Sequence, residues 1–145
     1  MTISTNIASP QLIRRTLLAI AVASAFVAVP CARAQRVIEL TADSDSRYKM
    51  VGLRSEITVK AGEQILLRVT AHRAKSWNRD GSIHGFSLLR PKDHSHVDGW
   101  DLLFKPGKQE FQLIAPAEPG EYEVVCTVIC SDEHEGMRMK FKVLP

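Results

Sequence analysis

The stretch Cys126-Thr-Val-Ile-Cys-Ser-Asp-Glu-His-Glu-Gly-Met137 constrains this chain more than any other. It gathers four soft or borderline metal donors, Cys126, Cys130, His134 and Met137, at spacings of four, four and three. Thiolate, imidazole and thioether select copper or zinc, whereas magnesium and calcium take oxygen ligands. The flanks predict where the donors sit. Downstream, Met137, Met139, Phe141 and Val143 alternate with Arg138, Lys140 and Lys142; upstream, Glu121-Tyr-Glu-Val-Val-Cys126 alternates as well. Both flanks read as strands of period two, so the donors are expected on a loop joining two strands, at one end of a sheet.

Donor chemistry narrows the metal. A blue copper site takes one thiolate, two imidazoles and a weak axial thioether, and this chain offers that set with a second thiolate besides. Two sulfurs on a short loop can each bridge two metal ions, leaving one histidine and one weak ligand for each ion. A dinuclear copper site therefore uses every donor. Zinc fits less well, since thioether is a poor ligand for it and structural zinc prefers paired cysteine knuckles. The metal-free alternative is a Cys126–Cys130 disulfide with Met137 as a core residue.

The spacing Cys-x3-Cys-x3-His-x2-Met resembles the ligand loop of the binuclear copper (CuA) domain found in cytochrome c oxidase subunit II and in nitrous oxide reductase. Ser82-Ile-His84-Gly-Phe86 is similar to the earlier segment that supplies that domain with a further histidine. The resemblance implies a cupredoxin fold and two copper ions held by His84, Cys126, Cys130, His134, Met137 and the backbone carbonyl of Val128. Gly81 and Ser131 stand where the family often has aspartate and glycine, and neither change removes a ligand side chain. Read by itself, His84 is a strand-end histidine bonded to backbone; with Gly85-Phe86 after it and the donor loop downstream, it is expected to be a ligand. A metal-bound imidazole usually gives its other ring N–H to an acceptor, and the sequence does not identify that acceptor.

From the N-terminus, Arg14-Arg15 precede an uncharged apolar run from Thr16 to Pro30, followed by Ala32-Arg33-Ala34. This reads as a cleavable export signal with cleavage before Gln35, by the ordinary or the twin-arginine route. The run is shorter than the about 20 apolar residues that span a bilayer, so no membrane span is expected in the mature protein. The whole chain carries a formal charge of +3, but residues 1–34 hold Arg14, Arg15 and Arg33 and no acid, so residues 35–145 are near neutral. A nucleic-acid-binding face is not indicated. Residues 35–145 suffice for one small domain with its own core.

Strand signals there are short and frequent. They cover 36–41, 56–60, 64–71, 83–89, 109–115 and the flanks of the donor loop, with turns at Ala61-Gly62-Glu63, Pro106-Gly107 and Pro116–Gly120. The expectation is an all-β protein, a Greek-key sandwich whose connections bring His84 beside the Cys126–Met137 loop. His94-Ser-His96 falls in a polar segment, Pro91 to Gly99, read as a solvated loop, where the two imidazoles could form an auxiliary copper or zinc site near Asp93 and Asp98. His72 is followed by the basic stretch Arg73 to Arg79 around Trp77, which reads as a solvated loop or a contact for an acidic redox partner.

No acid/base pair is readable, so the chain is not expected to be an enzyme on its own; it would serve as the electron-transfer component of an oxidase-like or reductase-like system. The leading expectation is a periplasmic CuA-type electron carrier, with a c-type cytochrome or a terminal oxidase or reductase as redox partner. From another functional class, the alternative is a copper chaperone or carrier that delivers metal to an oxidase or reductase. A third is a disulfide-bonded module without metal.

Overall fold

Period-two alternation builds nearly the whole molecule. The structure, a computed structural model, describes residues 35–145 except 53–55, 74 and 133; the export signal expected at 1–34 lies outside the described residues. In chain order the strands are β1 (Arg36–Ala42), β2 (Tyr48–Met50), β3 (Glu56–Lys60), β4 (Gln64–Ala71), β5 (His84–Leu89), β6 (His96–Phe104), β7 (Gly107–Ile114), β8 (Gly120–Val125) and β9 (Arg138–Leu144). Among the described residues helix is confined to a 3-10 turn at His134–Gly136, and no helix is long and apolar enough to cross a membrane.

The strands form two mixed sheets, ordered β2-β1-β4-β7 and β3-β9-β8-β5-β6. β1 runs parallel to β4 and β3 parallel to β9, while the other pairings are antiparallel. One face of each strand is apolar and turns inward. Ile38 and Leu40 of β1, Ile57 and Val59 of β3, Ile65, Leu67 and Val69 of β4, and Phe141 and Val143 of β9 are buried in one core. Burying each such side chain contributes roughly 1.5–3 kcal/mol. Aromatic contacts cross between the sheets: Tyr48 meets Phe86 edge-on at 5.4 Å, and Phe104 meets Phe111 at 5.6 Å between ring centroids. This is the all-β sandwich that the sequence predicts.

The segment read as a polar loop from Pro91 to Gly99 differs from that expectation, because β6 already begins at His96. Its buried residues Val97, Trp100 and Phe104 are spaced by three and four, which hides the strand period. A bulge causes this spacing. Ser87 pairs with Asp101 but Leu89 with His96, so extra β6 residues are accommodated between them, and Gly99 takes the left-handed φ of +78° there. Beyond the bulge, Trp100 faces inward and donates from Nε1 to the Ile114 carbonyl at 3.0 Å. The three-residue β2 is the other strand that the sequence did not announce.

Candidate metal centre

Three strand phases converge at one end of the sandwich. His84 opens β5 on the same face as Phe86 and Leu88; Cys126 continues the inward phase of Tyr122 and Val124 beyond β8; Met137 begins the inward phase that Met139, Phe141 and Val143 carry along β9. His84, Cys130 and Met137 are 0% exposed and Cys126 is 9% exposed.

His84, Cys126 and Cys130 each offer a ligand atom, and these three atoms lie within 4.8 Å of one another. The sulfurs are 3.9 Å apart as free thiols, not a disulfide. The Gly85 N–H donates to Cys126 Sγ at 3.3 Å. Cys126 Sγ also stands 3.3 Å from the Val128 carbonyl, which accepts the Cys130 N–H at 2.8 Å, so that carbonyl lies between the two cysteines. The hydrogen bond between the thiols holds Cys130 down to about 4 and pushes Cys126 up, with burial adding to the rise. The pair thus favours Cys130 as the sulfur that ionises first, and a thiolate is the form that binds metal.

The His84 ring is fixed in one tautomer. Its Nε2 lies 2.9 Å from the His72 carbonyl, which can only accept, so Nε2 carries the proton. The lone pair is left on Nδ1, which is buried without a hydrogen-bond partner among the described residues. Such an orphaned buried acceptor costs about 1–3 kcal/mol, and a metal ion between Nδ1 and the two sulfurs would satisfy it. The His72 carbonyl is the acceptor that the sequence could not name. Two thiols and an imidazole lone pair, all withdrawn from water, fit a soft ion such as copper.

His134 is placed differently. It is half-buried on the 3-10 turn, its Nδ1 lies 2.9 Å from the Ser131 carbonyl, and it stands outside the three-residue group. Met137 is held beside the centre through its backbone, its carbonyl accepting the Cys126 N–H at 3.1 Å. His94 and His96 also lie outside the group: His94 sits exposed in a turn with φ +54°, and exposed His96 pairs with Asp101 at 2.6 Å.

Several supporting residues carry no sequence signal. Ser46, 3% exposed with φ +57°, points Oγ at Cys130 Sγ at 3.6 Å and at Ser131 Oγ at 2.7 Å. The Tyr48 hydroxyl donates to the Gly85 carbonyl; burial first, and the two cysteine sulfurs second, hold the phenol well above its usual range, so it stays protonated. Ser76 clamps the donor loop from outside, its N–H on the Cys130 carbonyl at 3.0 Å and its Oγ on the Ile129 carbonyl at 2.5 Å. Next to this clamp Trp77 is 55% exposed, and Ile129, between the two cysteines, is 70% exposed. The Arg73 guanidinium lies 4.9 Å from the centre of the Trp77 ring.

No protein-family model matches the chain, and no curated protein matches it in sequence. Solved structures do. A chain of a heme-copper terminal oxidase dimer is similar with a TM-score of 0.55 and 19% identity, covering 79% of this chain and 68% of that one. Auracyanin A, a "blue" copper protein from the green thermophilic photosynthetic bacterium Chloroflexus aurantiacus, is similar with a TM-score of 0.52 and 19% identity over 74% of this chain and 98% of its own. Auracyanin B gives 0.50 and 17% identity, over 76% of this chain and 89% of its own. The fold is accordingly the cupredoxin β-sandwich.

Proposed function

We propose that this chain is a single-electron-transfer copper protein with a CuA-type dinuclear centre held by His84, Cys126, Cys130, His134, Met137 and the Val128 carbonyl. The observation that carries the reading is the buried His84 Nδ1, without a hydrogen-bond partner among the described residues, within 4.8 Å of two buried thiols. When bound at these residues, copper would supply one-electron exchange with little ligand movement. The chain's own part is to hold the donors still and dry. The His72 carbonyl fixes the His84 ring, the Gly85 N–H and Ser46 hydroxyl orient the sulfurs, and Tyr48 anchors the Gly85 carbonyl. Hydrogen bonds to sulfur and an apolar surround tune the potential of such a centre. A c-type cytochrome or a terminal oxidase or reductase is the proposed partner, meeting the centre where Ile129 and Trp77 are exposed.

Copper-loaded protein should hold two coppers and give an EPR spectrum in which one unpaired electron couples to both nuclei. A single copper with ordinary one-nucleus hyperfine splitting would rule out the dinuclear centre. One observation favours a second reading, a periplasmic copper carrier: the group already assembled contains three ligands, and His134 is outside it. A carrier would take up one cuprous ion and give it up readily to a competing chelator, whereas the electron carrier would retain two.

Both readings place the protein in the periplasm after removal of residues 1–34. N-terminal sequencing of the periplasmic fraction should begin at Gln35. Recovery of residues 1–34 on membrane-bound protein would replace the cleaved signal with an anchor.

A further inference from the structure

Ser46 is remote from the donor loop in sequence and lies against it in space. It belongs to the turn between β1 and β2, in the sheet opposite the one whose strands carry the donors. That turn is braced on every side: the Asp43 N–H donates to the Arg47 carbonyl at 2.9 Å, the Ser46 N–H donates to the Asp43 carbonyl at 3.1 Å, and the Lys49 ammonium holds both Asp43 and Asp45. Ser46 is buried and takes a left-handed φ of +57°, which a residue other than glycine adopts only at a cost. What the strained backbone delivers is a hydroxyl. Ser46 Oγ lies 3.6 Å from Cys130 Sγ and 2.7 Å from Ser131 Oγ.

A serine hydroxyl has a single proton, so these two contacts differ in kind. A thiolate that binds metal can only accept, which makes Ser46 the donor to Cys130 Sγ and leaves its oxygen to accept the Ser131 hydroxyl. Cys126 is served otherwise, by the Gly85 backbone N–H at 3.3 Å. The geometry points to Ser46 as a positioning residue for the copper centre: a hydroxyl donor brought from the opposite sheet that loads Cys130 and raises the reduction potential, with Ser131 fixing the direction of its proton. The inference rests on the copper reading above and holds for one ion or two at these sulfurs. A hydrogen bond on a ligand sulfur draws electron density from it, weakens the copper–sulfur bond and favours the reduced, more electron-rich centre. Donors in a chain polarise one another, so the Ser131 hydroxyl strengthens the bond that Ser46 gives. The serine at 131, where the family resembled often has glycine, thereby acquires a role.

The test is a redox titration of the copper-loaded full chain with resonance Raman spectra of its copper–sulfur stretching bands. Ser46→Ala should lower the reduction potential, move the copper–sulfur bands to higher frequency and reduce their shift in deuterated water. Ser46→Gly removes the same hydroxyl but relieves the left-handed backbone, so it should melt at a higher temperature than Ser46→Ala while lowering the potential equally. Ser131→Gly keeps Ser46 in place without its orienting donor and should lower the potential by a smaller step. A Ser46→Ala protein with full copper and unchanged potential and bands would overturn the inference and leave the copper reading standing. Opposite shifts of potential in the alanine and glycine variants would overturn it too, since backbone strain and not the hydroxyl would then be responsible. If neither Ser46 variant holds copper, Ser131→Gly decides: a lowered potential supports the hydroxyl chain, and an unchanged one removes it. Failure of the unsubstituted chain to bind copper would remove this inference together with the reading beneath it.

Discussion

Gly85→Ala is expected to cost the protein the proposed metal centre together with roughly 1–3 kcal/mol of stability, the usual range for overpacking a filled site. A Cβ built on Gly85 falls 2.7 Å from the Thr127 backbone nitrogen and 3.2 Å from the Thr127 Cα, and it collides with the Thr127 hydroxyl as well. A side chain could rotate out of the way, but the backbone of Thr127 cannot do so without moving Cys126. The added methyl would therefore push the sulfur from the Gly85 N–H that holds it at 3.3 Å, and would loosen the Tyr48 anchor on the Gly85 carbonyl. Thermal unfolding and copper content check this together. A variant with an unchanged melting temperature and a full copper complement would show that the loop absorbs the methyl.

On the dinuclear reading proposed above, Cys126→Ser and Cys130→Ser should each abolish the two-copper spectrum. Both sulfurs stand within reach of His84 and of each other, and a hydroxyl in either place is a hard, neutral donor where a soft anion is needed. Loss of the His84 or His134 side chain should leave a defective or single-copper site. Met137→Leu belongs at the other end of the scale. It nearly conserves volume on the inward face of β9 and should cost under about 1.5 kcal/mol of packing, so the variant should stay folded and keep its copper. A thioether is a weak axial ligand, so the reduction potential should shift. If spectrum and potential stay the same, Met137 is a core residue and nothing more. Colour and EPR signal retained by either serine variant would show that the sulfurs are not shared between two metals.

Most of the sandwich could be read directly from alternation, because β1, β3, β4, β8 and β9 bury alternate residues over most of their length and leave the others partly or fully exposed. β6 could not. Its bulge at Gly99 changes the phase between Val97 and Trp100, and a period-two pattern with one slip looks irregular. The residues of the expected donor loop stood out because metal chemistry needs particular residue types at short spacing. Its supports were not, since Ser46, Tyr48, Ser76 and the His72 carbonyl act through position across the fold, and one of these contacts, the Ser76 N–H on the Cys130 carbonyl, uses only backbone atoms. The glycine after His84 was visible as a motif, whereas its reason, the close passage of Thr127, required the packing.

The parallel pairing of β3 with β9 also sets the order in which the molecule can close. Glu56 aligns with Lys140 and Lys60 with Leu144, so the strand that leads out of the donor loop finds its outer neighbour in a segment made far earlier in the chain. Joining ends so distant carries a loop-closure cost that local turns do not, and non-local pairings form slowly. Until β9 docks, nothing fixes the Met137 carbonyl on the Cys126 N–H, and both thiols lie open to oxidant and to stray metal. Pulsed alkylation during refolding should find Cys126 and Cys130 reactive until late, becoming protected together with the β9 amides. Protection of the thiols well before those amides would uncouple the two events. The interval before the last strand docks is therefore when this centre is most exposed to damage, and when a reductant or a metal donor has the easiest access to it.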